Sequence, residues 1–236
     1  NDPMFINQGA ISAPSADADI HLIEAWDLHT DASTVVVAVL DTGVNTTHPD
    51  LVDNLWRNEA ELSGEPGVDD DGNGKIDDIY GWNTVNNNND VNDAHGHGTG
   101  VAGILAATGN NEVGISGTCW NARIMPVRCF DTGQYTSTAA IIAGFDYVLS
   151  FPEVRVVNAS WGLGDRNQAL ELAVQRLGER GVVVVAAAGN DGVSLDVEPF
   201  YPASFNFSNV ISVSAVNTLG GLASFSSFGW NVTVAA

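Results

Sequence analysis

Two kinds of apolar run alternate along the chain. Thr34 to Leu40 (TVVVAVL), Arg123 to Cys129 (RIMPVRC), Val154 to Ala159 (VRVVNA), Val182 to Ala188 (VVVVAAA) and Val210 to Val216 (VISVSAV) are short, rich in β-branched residues and almost unbroken. That is how strands buried on both faces read. Asp17 to Leu28, Thr99 to Ala107, Thr138 to Leu149 and Gln168 to Arg180 instead space their apolar residues helically, as in Leu170, Ala173, Val174 and Leu177. The order predicts an α/β fold, a three-layer α/β/α arrangement around a mainly parallel, doubly wound sheet. Glu59 to Asp93 breaks the rhythm with ten acids, one base and the Asn86 to Asn89 run. It reads as a long insertion without secondary structure, of the kind that is functional or disordered.

Composition narrows the picture. At 236 residues and 44% hydrophobic, the chain can bury a full core as one domain without disulfide staples. Cys119 and Cys129 flank a predicted strand that holds them roughly 20 Å apart, too far for one bond. Only 8 Lys plus Arg stand against 29 Asp plus Glu, for a formal net charge of -21. Scattered bases in such a background exclude a nucleic-acid or anionic-membrane surface, and the charge favours bound cations. No apolar run reaches the length of a bilayer crossing, and no basic leader precedes an apolar stretch at the start.

In an open parallel sheet, functional groups gather at the C-terminal strand ends. Asp41 stands there, directly after TVVVAVL; taken alone it reads equally as a turn aspartate. Asp93 to Gly103 (DAHGHGTGVAG) is a histidine-bearing glycine loop opening into a helix of small residues. Gly98, Gly100 and Gly103 satisfy the dinucleotide G-x-G-x-x-G, but no strand precedes them, and His95 and His97 lack a third zinc ligand at a usual spacing. Asn190 follows the most apolar strand, and Asn158-Ala159-Ser160-Trp161-Gly162 ends another. Asp41, His97 and Asn190 are residue types suited to base orientation, general base and oxyanion donor in acyl transfer.

These segments resemble the subtilisin-like serine proteases, the subtilases. The resemblance is carried by Val39-Leu40-Asp41-Thr42-Gly43-Val44, His48-Pro49-Asp50-Leu51, Gly96-His97-Gly98-Thr99, Asn158 to Gly162, Ala187-Ala188-Gly189-Asn190, Tyr201-Pro202-Ala203 and Ala223-Ser224-Phe225-Ser226-Ser227, in the family's order. It implies a serine endopeptidase acting on polypeptides, with Asp41 and His97 in the triad and Asn190 in the oxyanion hole. Ser160, Trp161, Gly162, Ala188 and Gly189 match the backbone strip and walls of the primary specificity pocket. Gly100 stands where the family usually has a second histidine. The family's nucleophile lies in a Gly-Thr-Ser-Met-Ala motif, and no serine of this chain has that context. The expectation is therefore a domain whose C-terminal remainder, as a continuation or a separate chain, supplies the serine. A non-catalytic calcium- or peptide-binding relative is the alternative. The resemblance also implies secretion and a propeptide during maturation, with residue 1 as the maturation cut.

Two Ca²⁺ sites are expected. In Asp69 to Asp78 (DDDGNGKIDD), Asp69, Asp71, Asn73, the Lys75 carbonyl and Asp77 fall at positions 1, 3, 5, 7 and 9 of an EF-hand loop. Position 12 is Tyr80, so Asp78 is the replacement ligand; a solvated acidic loop is the competing reading. The second site is implied by the resemblance alone: Asp50, Asn111, the Val113 and Ile115 carbonyls, and Asp2.

Overall fold

A computed structural model describes residues 2–8 and 19–236 of the chain. Five α-helices and seven strands are described, beside two short 3-10 helices: α1 Leu22–Trp26, β1 Asp31–Asp41, α2 Glu59–Ser63, β2 Trp82–Asn83, α3 His97–Ala106, β3 Asn121–Arg128, α4 Thr138–Leu149, β4 Val154–Ala159, α5 Gln168–Glu179, β5 Val183–Ala187, β6 Val210–Ser214 and β7 Val234–Ala235. All strands pair parallel in one sheet of order β2-β3-β1-β4-β5-β6-β7. This is the α/β fold with a parallel sheet that the alternating pattern predicts.

β1 explains the layering. Val36, Ala38 and Leu40 point to one face, in a cluster with Ile141, Phe145 and Val148 of α4 and Leu170, Val174 and Leu177 of α5. Val39 points to the other, against Ala102 and Ala106 of α3 and Ile124 of β3. A strand covered on both sides cannot alternate apolar with polar, hence TVVVAVL. Asparagine and serine side chains start the long helices: Ser137 accepts from Ala140 N ahead of α4, and Asn167 from Ala169 and Leu170 N ahead of α5.

The chain leaves β1 through α3 to β3 on one side, then crosses through α4 to β4 on β1's other side. The winding direction therefore reverses between β1 and β4, and a crevice opens at the C-terminal ends of these strands.

Several expectations change in detail. α1 covers only part of Asp17 to Leu28, of which Asp17 and Ala18 lie outside the described residues. The acidic insertion is not structureless, for it holds α2 and β2. Both are too short to carry a periodicity. Strand β7 was equally unreadable at two residues. Cys119 and Cys129 are free, the latter buried at the end of β3.

Candidate active site

The turn after β1 is set by Gly43 at φ +107°, where a Cβ would come within 2.5 Å of the Val91 carbonyl. It leaves the Asp41 side chain 3% exposed at the strand end. Asp41 Oδ1 accepts from Thr42 N at 2.7 Å and lies 2.7 Å from His97 Nδ1. A carboxylate only accepts, so Nδ1 donates this bond and Nε2 is the ring nitrogen left available for proton transfer. The imidazole is 40% exposed and opens toward the crevice.

His97 is the first residue of α3, and two glycines make its position reachable. Gly96 turns the chain at φ +102°. Gly98 lets the helix touch β1, since a Cβ there would lie 2.1 Å from the Gly43 carbonyl and 3.0 Å from Asp41 Cβ. Gly100, in place of the family's usual histidine, is exposed, with nothing within 4 Å of an added Cβ.

Behind the pair lies a residue that the sequence did not single out. Asp93 Oδ1 accepts from Thr42 Oγ1, His95 N and Gly96 N, and Oδ2 from Thr99 N and Thr99 Oγ1. Burial works to raise its pKa, but the Gly96, Thr99 and His95 donors outweigh it and hold the carboxyl below the usual range. Its position four residues before His97 in a turn-forming stretch was the only sequence signal.

Asp41, Thr42, His97, Phe130, Gln134, Ser160, Trp161 and Gly162 line one cavity of about 260 Å³. Of the expected substrate strip, Trp161 is chiefly a packing residue: its indole is buried near Phe130 and Phe145, and Nε1 donates to the Leu40 carbonyl at 2.9 Å. Ser160 Oγ accepts from Asn158 Nδ2, and the strip is anchored beyond Gly162 by reciprocal 2.8 Å bonds between Leu163 and Tyr201. Ala188 is buried and bonded to Val213, while Gly189 takes φ +103° and accepts from Ser227 N. Asn190 is exposed beyond β5, two strand spacings or about 10 Å from the line of β1, and is not among the residues lining this cavity. A larger cavity, about 560 Å³, opens at the opposite end of β1 around Asp31, Arg57 and Arg123 and holds no expected site residue.

In the acidic insertion two of the expected ligands, Asp71 and Asp78, meet one that was not expected, Glu61, and Asn73 Nδ2 donates to both aspartates. One carboxylate oxygen each of Glu61, Asp71 and Asp78 lies within 4.8 Å of the others. Asp78 is fully buried, and burial raises its pKa despite donors from Tyr147 Oη at 2.7 Å, Asn73 and Asn58. Asp69 turns back onto the Gly72, Asn73 and Gly74 amides, Asp77 onto Gly67 N, and Lys75 N onto Asn73 Oδ1. Glu61 was missed because its helix is five residues long, although Asn58-x-x-Glu61 is a helix-start pattern. The set fits a hard cation: three carboxylates converge, one wholly buried, with only neutral donors around them.

Asp2 and Asp50 are also buried, and both face the 110–115 loop. Asp2 accepts from the Asn110, Asn111 and Glu112 amides and from Ser116 Oγ, and Asp50 from Asn111 Nδ2 and Ile115 N. Val113 donates its N–H to Asn111 Oδ1. Asp2, Asp50, Asn111 and Ile115 are thus linked by amide donors onto the two carboxylates, and Val113 joins them through the Asn111 side chain.

Residues 32–236 match the model of the subtilase family. The thermophilic serine proteinase of Bacillus sp. (strain AK1) is 39% identical over 212 residues, which is 90% of this chain and 46% of that protein. Thermitase of Thermoactinomyces vulgaris is 34% identical over all 236 residues and 72% of its own length. The solved structure of a protease from Pseudoalteromonas arctica PAMC 21717 superposes with a TM-score of 0.79 at 28% identity, covering 100% of this chain and 71% of that one. The chain thus spans less than half of the first of these proteins.

Proposed function

Because the chain belongs to the subtilase family, we propose that it forms the larger part of a single peptidase domain that hydrolyses peptide bonds with a serine nucleophile. The observation that carries this is the 2.7 Å contact between Asp41 and His97 beside a cavity at the crevice of the sheet. His97 Nε2 takes the proton of the attacking serine and returns it to the leaving amine, while Asp41 holds the tautomer and stabilises the imidazolium. Asn190 donates to the oxyanion, and an acyl-enzyme forms and is then hydrolysed.

No serine of these 236 residues stands in the Gly-Thr-Ser-Met-Ala context of the family's nucleophile, and in this reading the serine is supplied by further polypeptide, continuous or separate. Polypeptide substrates lie as a strand along Ser160, Trp161 and Gly162, with Ala188 and Gly189 as pocket walls. With the Trp161 indole bonded to Leu40, the strip offers mainly backbone.

Ca²⁺ is the cofactor. Glu61, Asp71 and Asp78 would hold one ion, with Asn73 beside them, and Asp2, Asp50 and Asn111 a second. Bound calcium neutralises clustered carboxylates and rigidifies the loops; it takes no part in hydrolysis. The protein is secreted and matures by loss of a propeptide. No described helix is long and apolar enough to cross a membrane.

A non-catalytic relative is the second reading, favoured by one observation, the absence of a Gly-Thr-Ser-Met-Ala motif. A fluorophosphonate probe separates the two. The full-length protein should be labelled on a single serine, and His97→Ala should abolish both labelling and peptide hydrolysis. An intact preparation that takes no label leaves the non-catalytic relative.

A further inference from the structure

The Asp41–His97 pair is not held by its own hydrogen bond alone. Asp41 Oδ2 is buried without a partner, and the histidine sits between two glycines, Gly96 at φ +102° and Gly98 without a Cβ. A side chain hung on such a turn swings easily unless a third group fixes the turn. We propose that Asp93 is that group, a positioning residue that locks the His97 turn onto the end of β1; the inference rests on the peptidase reading above.

The geometry forms a closed circuit. Asp93 Oδ1 takes the Thr42 hydroxyl at 2.9 Å and the His95 and Gly96 amides at 2.9 and 2.8 Å. Oδ2 takes the Thr99 amide at 2.9 Å and its hydroxyl at 2.7 Å. The Thr42 hydroxyl accepts in turn from Gly98 N at 3.0 Å, and Thr42 N donates to Asp41 Oδ1 at 2.7 Å. One carboxylate therefore fastens the residue after Asp41 and the residues on both sides of His97. Thr99 Oγ1 extends the grip by accepting from Asn45 N at 3.0 Å. Thr42 Oγ1, His95 N, Gly96 N, Thr99 N and Thr99 Oγ1 all donate to Asp93, so only an ionised carboxylate satisfies all five. Asparagine has the same shape, but its NH₂ would face a donor already in place.

The test is Asp93→Asn, with Asp90→Asn as a control that removes a charge from the same loop at a side chain 56% exposed. In the full-length protein, kcat should fall about tenfold to a hundredfold, the loss that a displacement on the order of 1 Å brings. KM should stay within about twofold, since substrate contacts are untouched. The low-field proton resonance of the His97–Asp41 hydrogen bond should broaden or move in the variant. Asp90→Asn should change neither. If Asp93→Asn does not fold, Thr42→Val, which cuts one arm of the circuit, is read the same way, and Thr42→Ser should recover most of its loss. A lower melting temperature with unchanged kcat and resonance overturns the proposal, as does no change at all. Should the wild-type full-length protein hydrolyse nothing, the peptidase reading fails, while the resonance, measured in that same protein, still tests Asp93.

Discussion

At the scale of single residues, the site depends on side chains that are missing as much as on those present. Gly98 and Gly100 occupy the same turns of α3 and predict opposite outcomes. An alanine methyl at Gly98 meets the Gly43 carbonyl at 2.1 Å, and that atom belongs to a turn packed on Val91, so something must shift. Gly98→Ala should cost about 1 to 3 kcal/mol by overpacking, and should lower kcat further by forcing His97 from Asp41. At Gly100 a methyl meets nothing within 4 Å, on a helical residue exposed to solvent. Gly100→Ala should add about 0.4 to 1 kcal/mol of stability with activity retained. Urea unfolding of both variants, with kcat measured in the full-length protein, checks the pair.

At the scale of elements, what could be read from the sequence tracked element length. α4 and α5 show three turns of periodicity and a side-chain cap, and they fall where the pattern puts them. Asp41 and His97 were legible because a long apolar strand and a glycine loop frame them. Glu61 and Asp93 were not, because their roles arise where short irregular segments meet other parts of the chain. The acidic insertion is a junction: α2 contributes Glu61, the loop Asp71 and Asp78, and α4 the Tyr147 hydroxyl. Chelation should therefore loosen the insertion and its grip on α4 before the rest. Restoring Ca²⁺ at a hundred to a thousand times its Kd should return about 3 to 4 kcal/mol, measured by calorimetry. Glu61→Gln should remove most of that calcium-dependent gain. Asp69→Asn should remove much less, because Asp69 caps its own loop. Equal effects would favour the EF-hand ligand set that the spacing suggested.

At the scale of the whole molecule, the charge of -21 is not merely a coat. Asp2, Asp41, Asp50, Glu61 and Asp78 are buried, whereas Arg128 is the one buried base among the described residues. Four of those five acids belong to the two candidate calcium sites, where bound metal rather than lysine would supply the compensating charge. The placement of β1 has a consequence for how such a molecule comes to exist. The strand that ends in Asp41 pairs Val36 with Arg123 on one side and with Val154 on the other, partners made long after it. Contact order is therefore high at the very strand that carries Asp41, and loop-closure entropy is lost before any ladder forms. Refolding from denaturant should take seconds or longer in stopped-flow experiments, even with calcium present. During synthesis, at about 5 to 20 residues per second, this apolar strand waits several seconds for its neighbours. A segment able to shelter it through that interval would be selected for its effect on folding rate, whether or not it left any trace in the stability of the finished protein.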